Sequence, residues 1–225
     1  MGGTLKMPTV LFIRHAESEA NAGQPTAHPA TVKITPKGFE QAKSIASFFT
    51  KEPDLIITSP YKRTYETAQP TFARFPEARR AEWSVEEFTY LTPLDTFTTF
   101  VERKPMVEEF WQRDDPSYVD GDEVESFATF INRVQKVIKR LRQSKENSIV
   151  VFSHEQFICA ILWLFLKRKL EPGSILCSDC KKQFKDFLTM CRLPNGAILP
   201  VLLQDGNEAW VSNIITSHLS PECQY

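Results

Sequence analysis

The sequence predicts an α/β protein, a three-layer α/β/α sandwich with a mostly parallel central sheet. Three observations support this. Short runs rich in Val, Ile, Leu and Phe alternate with segments whose apolar residues recur at helical spacing. The short runs are apolar on both faces, as strands covered on both sides require. No internal repeat or low-complexity tract interrupts the alternation. With 225 residues, 42% hydrophobic and 24% charged, the chain has the size and composition of a globular protein with a substantial core.

The first strand candidate is Thr9 to Arg14. Thr35 and Pro36 then read as a helix start, with Thr as N-cap and Pro in the first turn. The helix they open places Ala42, Ile45, Ala46 and Phe49 on one face. A second strand, Asp54 to Thr58, leads into Ser59-Pro60, which repeats the start pattern. That helix runs through Arg63 and Thr67, and Pro70 is expected to kink or end it. From Trp83 to Tyr118 the periodicity weakens, prolines stand at 93, 105 and 116, and aromatic residues gather. This stretch, about 83–118, reads as a cap-like insertion covering one end of the sheet within a single domain of residues 1–225.

A long helix from about Ser126 follows, its Phe127, Phe130, Ile131, Val134, Val137, Ile138 and Leu141 spaced for core packing. Ser148 to Ser153 is the third strand, and Gln156 to Leu166 a buried helix. Near the C-terminus, Gly196 to Gln204 and Ala209 to Thr216 flank Asp205-Gly206-Asn207, a hairpin that extends the sheet edge.

Composition excludes several functions. The formal net charge is -1, from 27 Lys+Arg and 28 Asp+Glu, so no overall field would hold the chain on nucleic acid or an anionic membrane. An anion site must be a local concentration of positive groups. The longest apolar run, Ile158 to Leu166, falls short of the roughly 20 residues of a membrane span. Val10 to Ile13 is too short for a signal-peptide core, so a cytoplasmic protein is expected. The five cysteines, an odd number, argue against a disulfide framework. Cys177 and Cys180 have CxxC spacing but lack regularly placed further ligands, and are expected to be reduced thiols on a surface segment rather than a zinc site.

Chemistry concentrates at the strand ends, where open α/β sheets build their sites. Arg14 and His15 leave the first strand together. Arg63 lies in the first turn of the helix after the second strand, where it can share the positive helix end. His154 ends the third strand just before a helix. If these strands are parallel neighbours, Arg14, His15, Arg63 and His154 converge into a pocket for a tetrahedral anion. The other two of the four histidines, His28 and His218, have no such context and are read as structural, with His28 able to visit the pocket from its loop.

Arg14-His15-Ala16-Glu17-Ser18-Glu19-Ala20-Asn21 resembles the Arg-His-Gly-Glu-Ser-x-x-Asn pattern of the histidine phosphatase superfamily, which includes the phosphoglycerate mutase-like proteins. Later landmarks follow in order: Thr35-Pro36-Lys37-Gly38 with Gln41-Ala42, Ser59 with Arg63 and Glu66-Thr67-Ala68, Glu87, Glu125-Ser126 with Arg133, Val150 to His154, and Asn195-Gly196. The resemblance implies a phosphoglycerate mutase-like fold and a histidine acid-type phosphatase that needs neither metal nor cofactor. His15 would be the nucleophile that forms a phosphohistidine, with Arg14, Arg63 and His154 stabilising the phosphoryl charge. Ser18 and Asn21 would contact phosphate or order the loop. Glu87 would be the general acid, its pKa raised by the neighbouring phosphate, with Glu86 as its rival.

Two positions depart from the family pattern. Ala16 replaces a glycine, a mild change if its φ is negative. Glu155 replaces the glycine usual after the second histidine and stands at the phosphate site. It is expected to turn outward toward the helix dipole, whereas an inward carboxylate would repel phosphate or act as a second acid. The expected partner is a small phosphorylated substrate or phosphopeptide, and the expected reaction is hydrolysis of phosphate monoesters. A phosphoglycerate mutase-type transfer and a non-catalytic phospho-ligand binding module are the alternatives. The aromatic insertion, with Arg103, Lys104 and Arg113 as its basic groups, favours hydrolysis and an apolar or aromatic leaving group, although most of its rings are expected to pack the cover onto the body.

Overall fold

Parallel strand pairing brings the two histidine-bearing strand ends together. The structure, a computed structural model, describes residues 8–94, 96–168, 179–204 and 208–223. Its sheet contains β1 (Thr9–Arg14), β2 (Leu55–Thr58), β3 (Arg79–Glu82), β4 (Ser148–Ser153), β5 (Ile198–Leu203) and β6 (Ala209–Val211), in the order β3-β2-β4-β1-β5-β6. The first four strands of that order are mutually parallel, and β5 and β6 add antiparallel on the β1 side. The register sets Arg14 of β1 opposite Ser153 of β4, and His15 N donates to Ser153 O at 2.9 Å. His15 and His154 therefore leave the sheet as neighbours.

Alternation along each strand divides the core into two layers of contact. On one face, Ile13, Ile56, Val150 and Phe152 pack with α1 (Pro36–Phe48) and α2 (Lys62–Arg74) through Ile45, Ala68 and Phe72. On the other, Val10, Phe12, Ile57 and Val151 pack with α4 (Phe127–Arg142), α5 (Glu155–Lys167) and α6 (Cys180–Met190) through Phe127, Phe130, Ile161 and Phe184. These are the three layers the sequence predicts. Thr35 caps α1 by accepting from Gly38 N at 3.1 Å, and Ser126 caps α4 by accepting from Thr129 N at 3.1 Å.

Several elements differ from expectation for identifiable reasons. β2 begins at Leu55, because the Asp54 carboxylate accepts from Asn147 N and Ser148 N, at 2.7 and 3.0 Å, and ties the start of β4. The N-cap of α2 is Tyr61 rather than Ser59; the Ser59 hydroxyl accepts from Tyr61 N at 3.2 Å just before the helix and lies 2.7 Å from His154 Nε2. α2 continues through Pro70 to Arg74; Pro70 lies on its half-exposed side, away from the buried Arg63, Thr64, Thr67, Ala68, Thr71 and Phe72. β3 went unpredicted because Arg79-Arg80-Ala81-Glu82 is polar, and it is held as a mostly exposed edge strand by pairing with β2.

Within the insertion, α3 (Phe100–Gln112) forms behind a capping box, with Thr99 Oγ1 accepting from Glu102 N and Glu102 Oε2 accepting from Thr99 N. Pro105 inside it and only two buried residues, Phe110 and Trp111, hid its periodicity. Most rings of the insertion pack as core, as expected: Phe88 stacks on Phe130 at 4.5 Å and Tyr90 on Phe110 at 4.4 Å. α6 was also unpredicted. Its first residue, Cys180, is buried and disulfide-bonded, which corrects the expectation of a reduced surface thiol; Cys177 lies outside the described residues. The expected hairpin strands pair antiparallel over shorter spans, and its turn, 205–207, also lies outside the described residues. Among the described residues no helix is long and apolar enough to cross a membrane.

Candidate active site

The loop after β1 is held from both neighbouring helices. Ala16 N donates to Thr67 Oγ1 of α2 at 3.0 Å, and Glu17 N donates to Gln41 Oε1 of α1 at 2.7 Å. Gly38 packs its backbone directly on Glu17 O, so a Cβ there would collide with a carbonyl. Ala16 has no positive φ, so the departure from glycine at that position costs no backbone strain. Within the loop, Asn21 Oδ1 accepts from Ser18 N, Ser18 Oγ and Asn195 Nδ2, at 3.2, 2.8 and 3.0 Å. Ser18 and Asn21 thus order the loop, and both also line the cavity beside it.

His15 is buried, and its Nδ1 lies 2.8 Å from Ala16 O. A carbonyl only accepts, so Nδ1 carries the proton and the lone pair is left on Nε2. Arg63 Nε donates to that Nε2 at 3.1 Å, and Arg63 Nη1 donates to Pro29 O at 2.6 Å. Burial, followed by the charges of Arg63 and Arg14, holds the His15 pKa well below its ordinary value. Both effects favour the neutral imidazole. Burial also lowers Arg63 to about 10, which leaves it a cation at neutral pH.

Arg14 Nη1 donates to Leu193 O, and its Nη2 pairs with Glu155 Oε2 at 3.1 Å. Glu155 Oε1 accepts from Leu193 N at 3.3 Å. This carboxylate, in the first turn of α5, neither turns outward to solvent nor lines the cavity; the half-buried guanidinium beside it supplies a better partner than water. His154 lies behind His15, with ring centroids 5.1 Å apart, and its Nε2 is 2.7 Å from Ser59 Oγ. Its Nδ1 is buried with no hydrogen-bond partner in the structure. Burial, then the charge of Arg63, holds the His154 pKa well below its ordinary value.

A cavity of about 250 Å³ opens on Arg14, His15, Ser18, Asn21, Arg63 and Glu87 and extends under the insertion. Glu87 Oε1 accepts from Gln156 N, near the start of α5, at 3.0 Å and from Phe88 N at 3.2 Å. Its pKa is raised, by burial first and against the opposing pull of Arg63, so no phosphate is needed to lift it. Glu86 points elsewhere: it accepts from Ser84 Oγ at 2.8 Å, pairs with Arg133 at 3.4 Å and does not line the cavity. His28 is exposed, caps the short turn Pro29–Thr31 and lies outside the cavity wall, while His218 is bonded to Gly196 O at 3.0 Å. No cluster of three His, Cys, Asp or Glu side chains fit for a metal occurs among the described residues.

A family model described as the histidine phosphatase superfamily, branch 1, matches residues 10–179. The chain belongs to the histidine phosphatase superfamily. Among relatives, phosphoserine phosphatase 1 of Hydrogenobacter thermophilus is 30% identical over 181 residues, covering 72% of this chain and 80% of that protein. Phosphoserine phosphatase from Entamoeba histolytica, solved with 3-phosphoglyceric acid, superposes with a TM-score of 0.70 at 21% identity, covering 95% of this chain and 100% of the other. The alpha-ribazole phosphatase of Shigella flexneri does so with 0.70 at 17% identity, over 93% and 96%. These structural likenesses establish the phosphoglycerate mutase-like fold.

For this superfamily member, sequence reasoning missed how two landmarks act. Ser59, expected to cap α2, holds His154, and Asn195, part of the family pattern, donates Nδ2 to His15 O at 3.0 Å as well as to Asn21. Polar residues directly after a strand, here β2, and before a glycine of positive φ, here Gly196, were the available signals.

Proposed function

We propose that this superfamily member is a metal-independent phosphatase that hydrolyses phosphate monoesters through a phosphohistidine on His15. The observation that carries the reading is the His15 tautomer: Nδ1 is committed to Ala16 O, and the Nε2 lone pair faces the arginine cluster. Nε2 attacks phosphorus, the bond from phosphorus to the leaving oxygen breaks, and Glu87 gives that oxygen its proton. Arg14 and Arg63 neutralise the equatorial oxygens, and the uncharged His154, whose Nδ1 has no partner, would donate a hydrogen bond to a phosphoryl oxygen. Water then attacks the phosphohistidine, Glu87 takes its proton, the P–N bond breaks and neutral His15 is restored. Burial raises the Glu87 pKa, the direction a proton donor to the leaving oxygen needs. The names of the relatives support phosphoester hydrolysis as the overall reaction.

The test is an alkaline quench during turnover of a labelled monoester, with peptide mapping of the label and a parallel assay in chelator. An alkali-stable phosphoryl group on the His15 peptide, lost in His15→Ala, and turnover that survives chelation are expected. Phosphate release without label, or activity abolished by chelation, overturns the mechanism. Interconversion of phosphoglycerates outrunning phosphate release would make the chain a mutase.

A further inference from the structure

Beyond the phosphate-facing residues, the cavity wall changes character. Pro29 and Val32 from the loop after β1, Leu91 and Leu94 from the insertion, and Phe100 and Val107 from α3 make it apolar. Phe100 is 58% exposed, so its ring is an uncovered apolar surface at the rim.

The polar groups of this wall are largely committed to one another. Thr89 Oγ1 is 2.6 Å from Tyr61 OH, and Thr92 Oγ1 donates to Asp120 O at 3.1 Å. Arg103, the cation of this wall, directs Nη1 to Thr98 O, to Thr98 Oγ1 at 2.8 Å and to Thr26 O at 3.3 Å. Those bonds fasten the insertion to the loop after β1 across the Thr26–Thr98 bridge. Glu87 is the one carboxylate lining the cavity among the described residues.

We propose that this wall is a leaving-group subsite that selects monoesters of uncharged, apolar alcohols, alkyl or aryl, over esters whose leaving group is charged. The proposal rests on the phosphatase reading and names its substrate class. A leaving group carrying an ammonium would have to engage Glu87, whose proton the departing oxygen requires. One carrying a carboxylate would have to share Arg103, whose Nη1 already serves Thr98 and Thr26 O in fastening the insertion to the loop after β1. Charged groups brought out of water without a dedicated partner bind poorly, whereas an apolar body gains by displacing water from aliphatic and aromatic surface. A cavity of about 250 Å³ suits a small alcohol, since pockets for drug-sized ligands begin at about 300 Å³.

The experiment measures binding of phenyl phosphate, hexyl phosphate, O-phosphoserine and 3-phosphoglycerate to the full-length His15→Ala chain, beside turnover by the wild type. The two apolar esters are expected to bind tighter than the two charged ones by about tenfold or more. Leu94→Asn and Phe100→Ser should raise the dissociation constant of phenyl phosphate relative to that of inorganic phosphate. Equal or tighter binding of O-phosphoserine or 3-phosphoglycerate, lost in Arg103→Met, overturns the proposal, as does failure of all four esters to bind. Selective binding without wild-type turnover supports the subsite while striking down the phosphatase reading, so the two failures are distinguishable.

Discussion

At the floor of the cavity lies His15, with His154 directly behind it; they are 4% and 0% exposed and leave parallel strands whose neighbours are fixed on both sides. At its cover, Phe97 and Phe100 are 75% and 58% exposed, and the described residues from Ser84 to Thr99 lead to α3 with no regular structure beyond one isolated bridge. The floor is over-determined: strand register, two helices and Asn195 all bear on the same loop. Its positions are set by directional bonds, which suits a site that must aim one nitrogen at one phosphorus. Behind the rim the cover is anchored through rings, Phe88 on Phe130 and Tyr90 on Phe110, and this leaves its cavity-facing side chains freer to differ. In the proposed function, the floor carries the chemistry and the cover the choice of leaving group.

Glu87 joins the two regions, and its removal should have the largest effect of the variants that retain the nucleophile. It sits where the insertion begins yet accepts from the first turn of α5. Glu87→Gln keeps the size and removes the proton, so turnover of an alkyl phosphate should fall about 10²–10⁴-fold. An aryl phosphate with an acidic phenol should lose far less in its first step, because that leaving oxygen departs without help. The pH profile sharpens the point. A raised Glu87 pKa means that wild-type activity on alkyl esters declines as pH rises through it, and this alkaline limb should vanish in the variant. With His15 as the proposed nucleophile, its depressed pKa favours the neutral imidazole, so no acid limb near the ordinary histidine value is expected. Equal first-step losses on both esters would remove Glu87 from protonating the leaving oxygen.

The same division governs what could be read in the sequence. β1, β4, α1, α4 and α5 were legible because their apolar periodicity and caps agree with their packing, and so the floor residues Arg14, His15, Arg63 and His154 could be placed at strand and helix ends. β3 and α3 were not. β3 is polar and forms through β2, and α3 buries too little of one face to show a period. Glu155 was legible as a departure, but its orientation was not, because the partner that decides it, Arg14, is remote in sequence. Lys181 was silent for the same reason: its Nζ donates to Phe110 O at 2.6 Å and lies 3.7 Å from that ring, a contact between α6 and α3 that no local pattern announces.

Gly38→Ala tests whether the floor is as rigid as its bonds suggest. The added Cβ meets Glu17 O, a backbone atom of the nucleophile loop that Thr35 N and Gln41 already hold. Either α1 or the loop must shift, and a destabilisation of about 1–3 kcal/mol is expected in denaturant unfolding. Activity should fall on alkyl and aryl esters alike, because the displaced group serves both. A variant of unchanged stability and turnover would show that the loop yields easily and that the contrast with the cover is overstated.

The smallest effect is expected from Glu155, which lies behind the floor. Its carboxylate takes one edge of Arg14 while Leu193 O holds another, so the guanidinium is positioned and part of its charge is already answered before phosphate arrives. Glu155→Gln preserves the acceptor facing Leu193 N and removes the competing charge. Inorganic phosphate and vanadate should then bind more tightly, by up to about tenfold, the equivalent of roughly 1.4 kcal/mol. Product inhibition should rise in step, with the leaving-group preference untouched because the cover is not involved. Weaker phosphate binding in the variant would mean that Glu155 mainly holds Arg14 in place, and that the floor depends on this pair for its geometry more than it suffers from its charge.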